Sequence, residues 1–153
     1  MKISGYYIYN NVAITAFSVL AMLRLSPKIP LSKVALLMPI LLDDNIVGKM
    51  TNQRPTSFDS VITQNKVYLS NFNNRYDDLL PQVVNAISIL LDLNLVSLYG
   101  EYVISENAEK YESILSRCDS NRLKNICAVS SKLLKLVKDS DIVNDYRKLN
   151  IEL

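Results

Sequence analysis

Residues 82–105 constrain the fold of this chain more than any other stretch. Residues 82–93 carry apolar side chains at helical spacing and predict a helix. Two short segments follow, Val96–Tyr99 and Tyr102–Ser105, which predict strands joined at Gly100. Glycine takes a positive φ at little cost, and a tight hairpin turn needs that conformation. A helix that leads directly into a small hairpin is typical of the end of a winged-helix domain.

Helical patterns cover most of the remaining chain, so the predicted fold class is mainly α: a winged-helix-like domain with a small β-hairpin wing and additional C-terminal helices. Pro81 is interpreted as the start of the helix over residues 82–93, and residues 45–56 as a connection with room for a short helix. Residues 1–106 are predicted to form the winged-helix-like core, and residues 107–153 a helical extension packed on or beside it. The other helices are predicted at Val12–Leu25 and at residues 31–42, 58–66, 71–80, 106–117 and 120–138, before a polar, partly helical tail.

The residue types present argue against catalysis. The chain contains no histidine, which removes the commonest general acid or base and the commonest metal ligand. Its two cysteines, Cys118 and Cys127, have no further thiol nearby and predict reduced core residues of a cytosolic protein. The pairs Asp43-Asp44 and Asp77-Asp78 are interpreted as solvated helix ends. With no phosphate-binding glycine loop or nucleophile motif, we predict no enzyme, metal, cofactor or small-molecule substrate.

The N-terminus and the apolar runs bear on location. The N-terminal residues lack the continuous apolar core of a signal peptide. The longest apolar runs, residues 12–23 and 34–42, are shorter than the roughly 20 residues that a membrane-spanning helix needs. The sequence therefore predicts a cytoplasmic protein without a membrane partner.

The helix before the hairpin is poorly suited to reading DNA. A reading helix usually presents Arg, Lys, Asn or Gln to base edges and phosphates. Residues 82–93 contain no Arg or Lys, Asp92 would repel phosphate, and Glu101 adds a negative charge to the wing. This helix and those at Val12–Leu25 and residues 31–42 are apolar on most sides. They either form the centre of the fold or leave surplus apolar surface for another protein.

A second candidate surface lies on the helix at residues 120–138, which is amphipathic and basic. One interpretation is a solvated face with cations near the helix C-terminus, where the macrodipole favours them. The other is contact with nucleic acid or an acidic partner, although Asp139, Asp141 and Asp145 weaken the positive field. The candidate nucleic-acid-binding residues are Arg122, Lys124, Lys132, Lys135 and Lys138.

Four stretches of the chain resemble a known family. YNNVAITAFSVLAML, LLMPILLDD, RPTSFDSVI and NNRYDDLLPQVVNAISILLDLNLVSL follow one another as in the small middle component of bacterial three-component ABC systems. The matching positions are Tyr9-Asn10, residues 38–41, residues 56–58 and Arg75, and the resemblance spans residues 6–105. Asp43-Asp44 departs from the family pattern, in which a histidine or basic residue follows the apolar helix.

The resemblance implies a non-catalytic adaptor subunit between an SMC/ABC-like ATPase and an effector such as a nuclease. Such systems, including those called Lamassu, are implicated in defence against phage and plasmids. DNA would then be reached through the whole complex. The alternative is a stand-alone winged-helix DNA-binding transcriptional regulator. The tyrosines before the first helix would pack on the chain's own core or contact a partner. The candidate partner-binding residues are Tyr6, Tyr7, Tyr9, Asn10, Arg75, Tyr99 and Tyr102.

Overall fold

A computed structural model describes residues 11–152, which form eight helices and a three-stranded antiparallel sheet. This mainly helical arrangement confirms the predicted fold class and is compatible with a winged-helix-like fold. The strands are β1 (Lys28–Pro30), β2 (Val96–Tyr99) and β3 (Tyr102–Ser105). The helices are α1 (Val12–Leu25), α2 (Leu31–Leu41), α3 (Asp44–Asn52), α4 (Phe58–Gln64), α5 (Phe72–Asp92), α6 (Ala108–Ser116), α7 (Asn121–Val137) and α8 (Ile142–Lys148).

The hairpin has the predicted bounds and the predicted turn. β2 and β3 pair antiparallel, with Tyr99 opposite Tyr102, and Gly100 has a φ of +58°. Asn94, with a φ of +55°, lies between α5 and β2, at a position where asparagine tolerates the left-handed conformation. Local turn chemistry therefore fixes both the end of the helix and the start of the wing.

The first strand, β1, is absent from the sequence-based prediction. It contains only three residues, one of which is a proline, and it pairs with β3 so that the sheet order is β1-β3-β2. The amide of Ser105 donates to the carbonyl of Pro27 at 2.8 Å, and the amide of Leu31 donates to Glu101 at 2.8 Å. Because β1 is so short, its extended conformation depends on pairing with a strand more than 70 residues away.

Two predicted helices are in fact one. Residues 71–80 and 82–93 form the single helix α5, and Pro81 lies inside it instead of at its start. Proline removes the hydrogen bond to the carbonyl of residue 77 and its ring crowds that carbonyl, but both Pro81 and Asp77 are exposed, so water can satisfy the carbonyl. Tyr76 and Leu79 before the proline, and Val83 after it, are all buried and hold both halves against one core.

The apolar helices α1 and α2 form the centre of the fold. Every residue from Lys33 to Leu41 is buried in α2, and α1 is buried from Ser18 to Leu23. Much of the surplus apolar surface expected from the sequence is therefore covered within the chain. Among residues 11–152, no helix is long and apolar enough to cross a membrane.

The C-terminal helices pack on this same core. Val129, Leu133 and Val137 of α7 are fully buried, and Tyr146 of α8 is nearly so. The Tyr146 hydroxyl donates to the carbonyl of Ser32 at 2.8 Å and lies 3.0 Å from the Tyr76 hydroxyl. Residues 45–56, interpreted as a connection with room for a short helix, contain α3, and the polar tail contains α8.

Candidate partner and nucleic-acid interfaces

The exposed side of α5 is acidic and partly apolar. Its exposed positions lie within about 100° of Asn85 around the helix axis and include three aspartates but no lysine or arginine. Asp77 and Asp78 belong to this side, so their interpretation as a helix end is wrong: they lie mid-helix because α5 continues through Pro81. We call these positions the α5 face: Asn74, Asp77, Asp78, Pro81, Val84, Asn85, Ser88, Ile89 and Asp92.

Arg75, the single cation of α5, lies at the edge of that face, about 80° from Asn85 around the helix axis, and is engaged with other parts of the chain. Its guanidinium forms an ion pair with Asp43 and donates to the backbone carbonyl of Tyr68. Only 18% of the Arg75 side chain and 12% of the Asp43 side chain are exposed. Arg75 is therefore already engaged between α5, the start of α3 and the turn that precedes α5.

The acidic pair that departs from the family pattern has structural roles. The Asp43 carboxylate caps α3 by accepting hydrogen bonds from the amides of Asn45 and Ile46, at 3.0 and 3.1 Å. Asp44 is the first residue of α3, and its carboxylate lies 2.8 Å from the Arg122 guanidinium. A carboxylate suits both positions because the N-terminus of a helix favours negative charge.

The wing presents two aromatic side chains on one of its faces. Tyr99 and Tyr102 pair across the hairpin, so their side chains leave the sheet on the same side. Tyr99 is 74% exposed, whereas Tyr102 is half-buried beneath the Lys28 ammonium, which lies 4.1 Å from its ring centroid. The structure thus brings these two predicted partner-binding residues together and leaves Tyr99 accessible.

The five basic candidates, four in α7 and Lys138 at its C-cap, divide into two groups. Lys132 donates three hydrogen bonds to backbone carbonyls at the end of α3 (2.7 to 2.9 Å), and Arg122 pairs with Asp44 and donates to the Leu42 carbonyl at 3.2 Å. Both side chains therefore tie α7 to α3. The other three, Lys124, Lys135 and Lys138, are exposed, and helical geometry places them within about 60° of one another. We call these three residues the α7 lysine stripe.

Lys33 is a charged residue that the sequence-based prediction missed. It lies in the apolar run of α2 and is 7% exposed, and its ammonium donates to the backbone carbonyls of Val137 and Lys138. The cation satisfies carbonyls at the C-terminus of α7, where the helix dipole favours positive charge. The sequence signal for this contact is a lone lysine within a mostly apolar helix, because a buried ammonium needs hydrogen-bond acceptors.

A cavity with a volume of 480 Å³ is bordered by α2, α5 and α8. Tyr76 and Tyr146 line it together with apolar side chains of α8 and Ile151. Burial raises the pKa of Tyr146, and its hydrogen bond with Tyr76 raises that pKa further. This tyrosine pair, which no sequence motif indicates, joins the C-terminal helix to α5.

Cys118 and Cys127 are free thiols, and both are half-buried. Burial raises the pKa of the Cys127 thiol, which makes its reactive thiolate form less available. Among residues 11–152, no group of three or more His, Cys, Asp or Glu side chains could hold a metal ion.

The remaining candidates, Tyr6, Tyr7, Tyr9 and Asn10, lie outside the residues that the structure describes. The first described residue, Asn11, caps α1, and its side-chain oxygen accepts a hydrogen bond from the amide of Ile14 at 3.1 Å. Partner binding by those four residues therefore stays a prediction.

Comparison with known proteins gives one family. The sequence model of the family "ABC-three component (ABC-3C) system Middle Component 3" matches residues 14–153. No curated protein and no solved structure matches the chain. The match includes α6, α7 and α8, which lie outside the resemblance seen in the sequence, so the C-terminal helices are part of the family pattern.

Proposed function

Because the chain belongs to the Middle Component 3 family of ABC-three component systems, we propose that it is a non-catalytic adaptor subunit. It links an ATPase of the SMC/ABC type to an effector, for which a nuclease is the expected class. The family match across residues 14–153 carries this proposal, since a middle component works with the other components of its system. The finer assignment is to a Lamassu-type complex in the cytoplasm that defends against phage and plasmids.

The engagement of the charged side chains supports a binding role over a catalytic one. Asp43 and Asp44 are used as a helix cap and in ion pairs, and Arg75 and Arg122 are their partners. The chain also contains no histidine. These charged groups hold helices together, whereas other side chains on α5, α7 and the wing are exposed and can contact partners.

The wing supplies the first proposed partner contact. Tyr99 combines high exposure with a large aromatic ring, and tyrosine is enriched at protein interfaces because it buries area while keeping a polar tip. Tyr102 beside it offers a smaller, half-buried edge of the same surface. In the proposed adaptor, this side of the wing contacts a companion subunit.

The α7 lysine stripe supplies a proposed DNA contact within the assembled complex. Lys124, Lys135 and Lys138 are exposed on one side of the helix, where they can neutralise phosphates while the ATPase holds DNA. Arg122 and Lys132 contribute less to this role because their side chains are committed to α3. In this proposal, the adaptor holds the effector inactive and releases it when foreign DNA is sensed.

A stand-alone DNA-binding transcriptional regulator is the second candidate, and the winged-helix-like arrangement favours it. In that role the α5 face would have to approach a phosphate-lined groove. Three aspartates and no cation on that face oppose such an approach. The adaptor therefore accounts for the charge distribution better than the regulator does.

Co-purification tests the adaptor proposal. A tagged chain is expressed with the genes that neighbour its own, and the intact assembly is weighed by native mass spectrometry. The adaptor predicts a stable complex that contains the ATPase subunit, and the mass gives its stoichiometry. A monomer or homodimer without a companion would refute it. Specific binding of that isolated protein to a short duplex would then support the regulator.

A further inference from the structure

We propose that the α5 face docks a cationic protein surface with an apolar centre, contributed by a companion subunit. This inference rests on the proposed adaptor function and assigns it a surface and a partner chemistry.

The charge of the α5 face has a single sign. Asp77, Asp78 and Asp92 are exposed along the helix, and Arg75, its one cation, lies at the edge of the face and is paired with Asp43. An uncompensated negative face of this kind attracts a positive protein surface and repels nucleic acid. The complementary partner therefore presents lysine or arginine side chains.

Apolar side chains lie between these carboxylates. Val84 is 58% exposed, Ile89 is 45% exposed, and Leu93, which caps the helix, is 56% exposed. Ile89 and Leu93 are four residues apart and are therefore neighbours on the helix surface, with Asp92 beside them. Apolar residues bordered by charged ones resemble the core and rim of a protein interface. The partner therefore needs apolar side chains inside its cationic border.

The α7 lysine stripe of a second copy does not meet both requirements, because the exposed positions of α7 contain no large apolar side chain. They are Asn121, Lys124, Asn125, Ala128 and Lys135. The stripe would match the charge of the α5 face but leave Val84 and Ile89 without apolar contacts. We therefore assign the face to a companion subunit, since a middle component works with the other components of its system.

Two variants and one matched control test this surface. The acidic variant is Asp77→Lys/Asp78→Lys/Asp92→Lys, and the apolar variant is Val84→Gln/Ile89→Gln. The control, Glu109→Lys/Asp119→Lys/Asp139→Lys, changes the net charge equally at exposed positions of other segments. Each full-length chain is titrated with the purified ATPase and effector subunits encoded beside it, across a salt series. Circular dichroism and thermal unfolding check that each variant folds.

We expect the acidic variant to weaken binding to one companion subunit by on the order of tenfold or more, since three attractions become repulsions. Salt should weaken the binding of the wild-type chain but not the binding of the acidic variant. The apolar variant should bind more weakly at every salt concentration. The control should bind like the wild-type chain.

The outcomes separate this inference from the adaptor proposal. If the wild-type chain binds its companions and both α5 variants bind equally well, the docking surface is wrong and the adaptor stands. If the wild-type chain binds no companion, the adaptor is wrong and this inference falls with it. If the isolated wild-type chain dimerises and the acidic variant does not, the occupant is a second copy, which also overturns the inference.

Discussion

Lys132→Met removes the cation that completes the C-terminus of α3 while keeping a side chain of similar length. In the wild-type chain, the Lys132 ammonium donates to the backbone carbonyls of Met50, Thr51 and Gln53 at 2.7, 2.8 and 2.9 Å. The last carbonyls of a helix have no intrahelical partner, so this lysine satisfies groups that α3 cannot satisfy itself. The substitution therefore separates a structural role for Lys132 from a role in binding DNA.

The expected loss of stability follows from these three bonds. A hydrogen bond to a charged group contributes about 1.5–3 kcal/mol when its partner is buried. Lys132 is only half-buried, so water replaces part of what is lost, and we expect the free energy of unfolding to fall by roughly 2–3 kcal/mol. For a chain of this length, that corresponds to a drop in Tm of about 4–12 °C. Urea denaturation and thermal scans measure both quantities.

Lys135→Met is the matched control on the same helix. Lys135 is exposed, so its replacement should change the free energy of unfolding by less than about 0.5 kcal/mol. DNA binding by the assembled complex should show the opposite order. A complex with Lys135→Met should bind DNA more weakly, whereas a complex with folded Lys132→Met should bind DNA nearly as well as the wild type. Equal stability of the two variants would refute the structural role of Lys132.

Three further predictions address other contacts. Asp43→Asn and Arg75→Met should each lower the free energy of unfolding by about 1–3 kcal/mol. The double variant should lower it by less than the sum of the two, which a double-mutant cycle in urea measures. Gly100→Ala should lower the free energy of unfolding by about 1–2 kcal/mol because the φ of +58° at this position disfavours a residue with a Cβ. An unchanged midpoint of equilibrium unfolding would contradict this. Above about pH 10, stability should fall with pH because the unfolded chain loses the Tyr146 proton first, its pKa being raised in the folded state. A pH series of unfolding free energies should show a shallower fall for Tyr146→Phe.

The candidate site was less predictable than the fold. The sequence identifies Arg75, Arg122 and Lys132 as charged residues but not the groups that they contact, because most of those groups lie 30 or more residues away along the chain. Exposed and engaged lysines on α7 look alike in a periodic pattern. The acidic α5 face was divided between two predicted helices by Pro81, so its three aspartates were never placed on one surface.

The sequence by itself determined the features that depend on neighbouring residues. Gly100 sets the hairpin turn, Asn11 caps α1, and the bounds of α1, β2 and β3 are as predicted, because turns, caps and periodicity act over a few residues. Only the tertiary structure decided the rest. Pairing with β3 makes a strand of Lys28–Pro30, and packing of both halves against one core carries α5 through Pro81. Contacts of α7 with α3 and α2 likewise decide which cations are engaged, because a polar group that loses contact with water must find a partner wherever the fold supplies one.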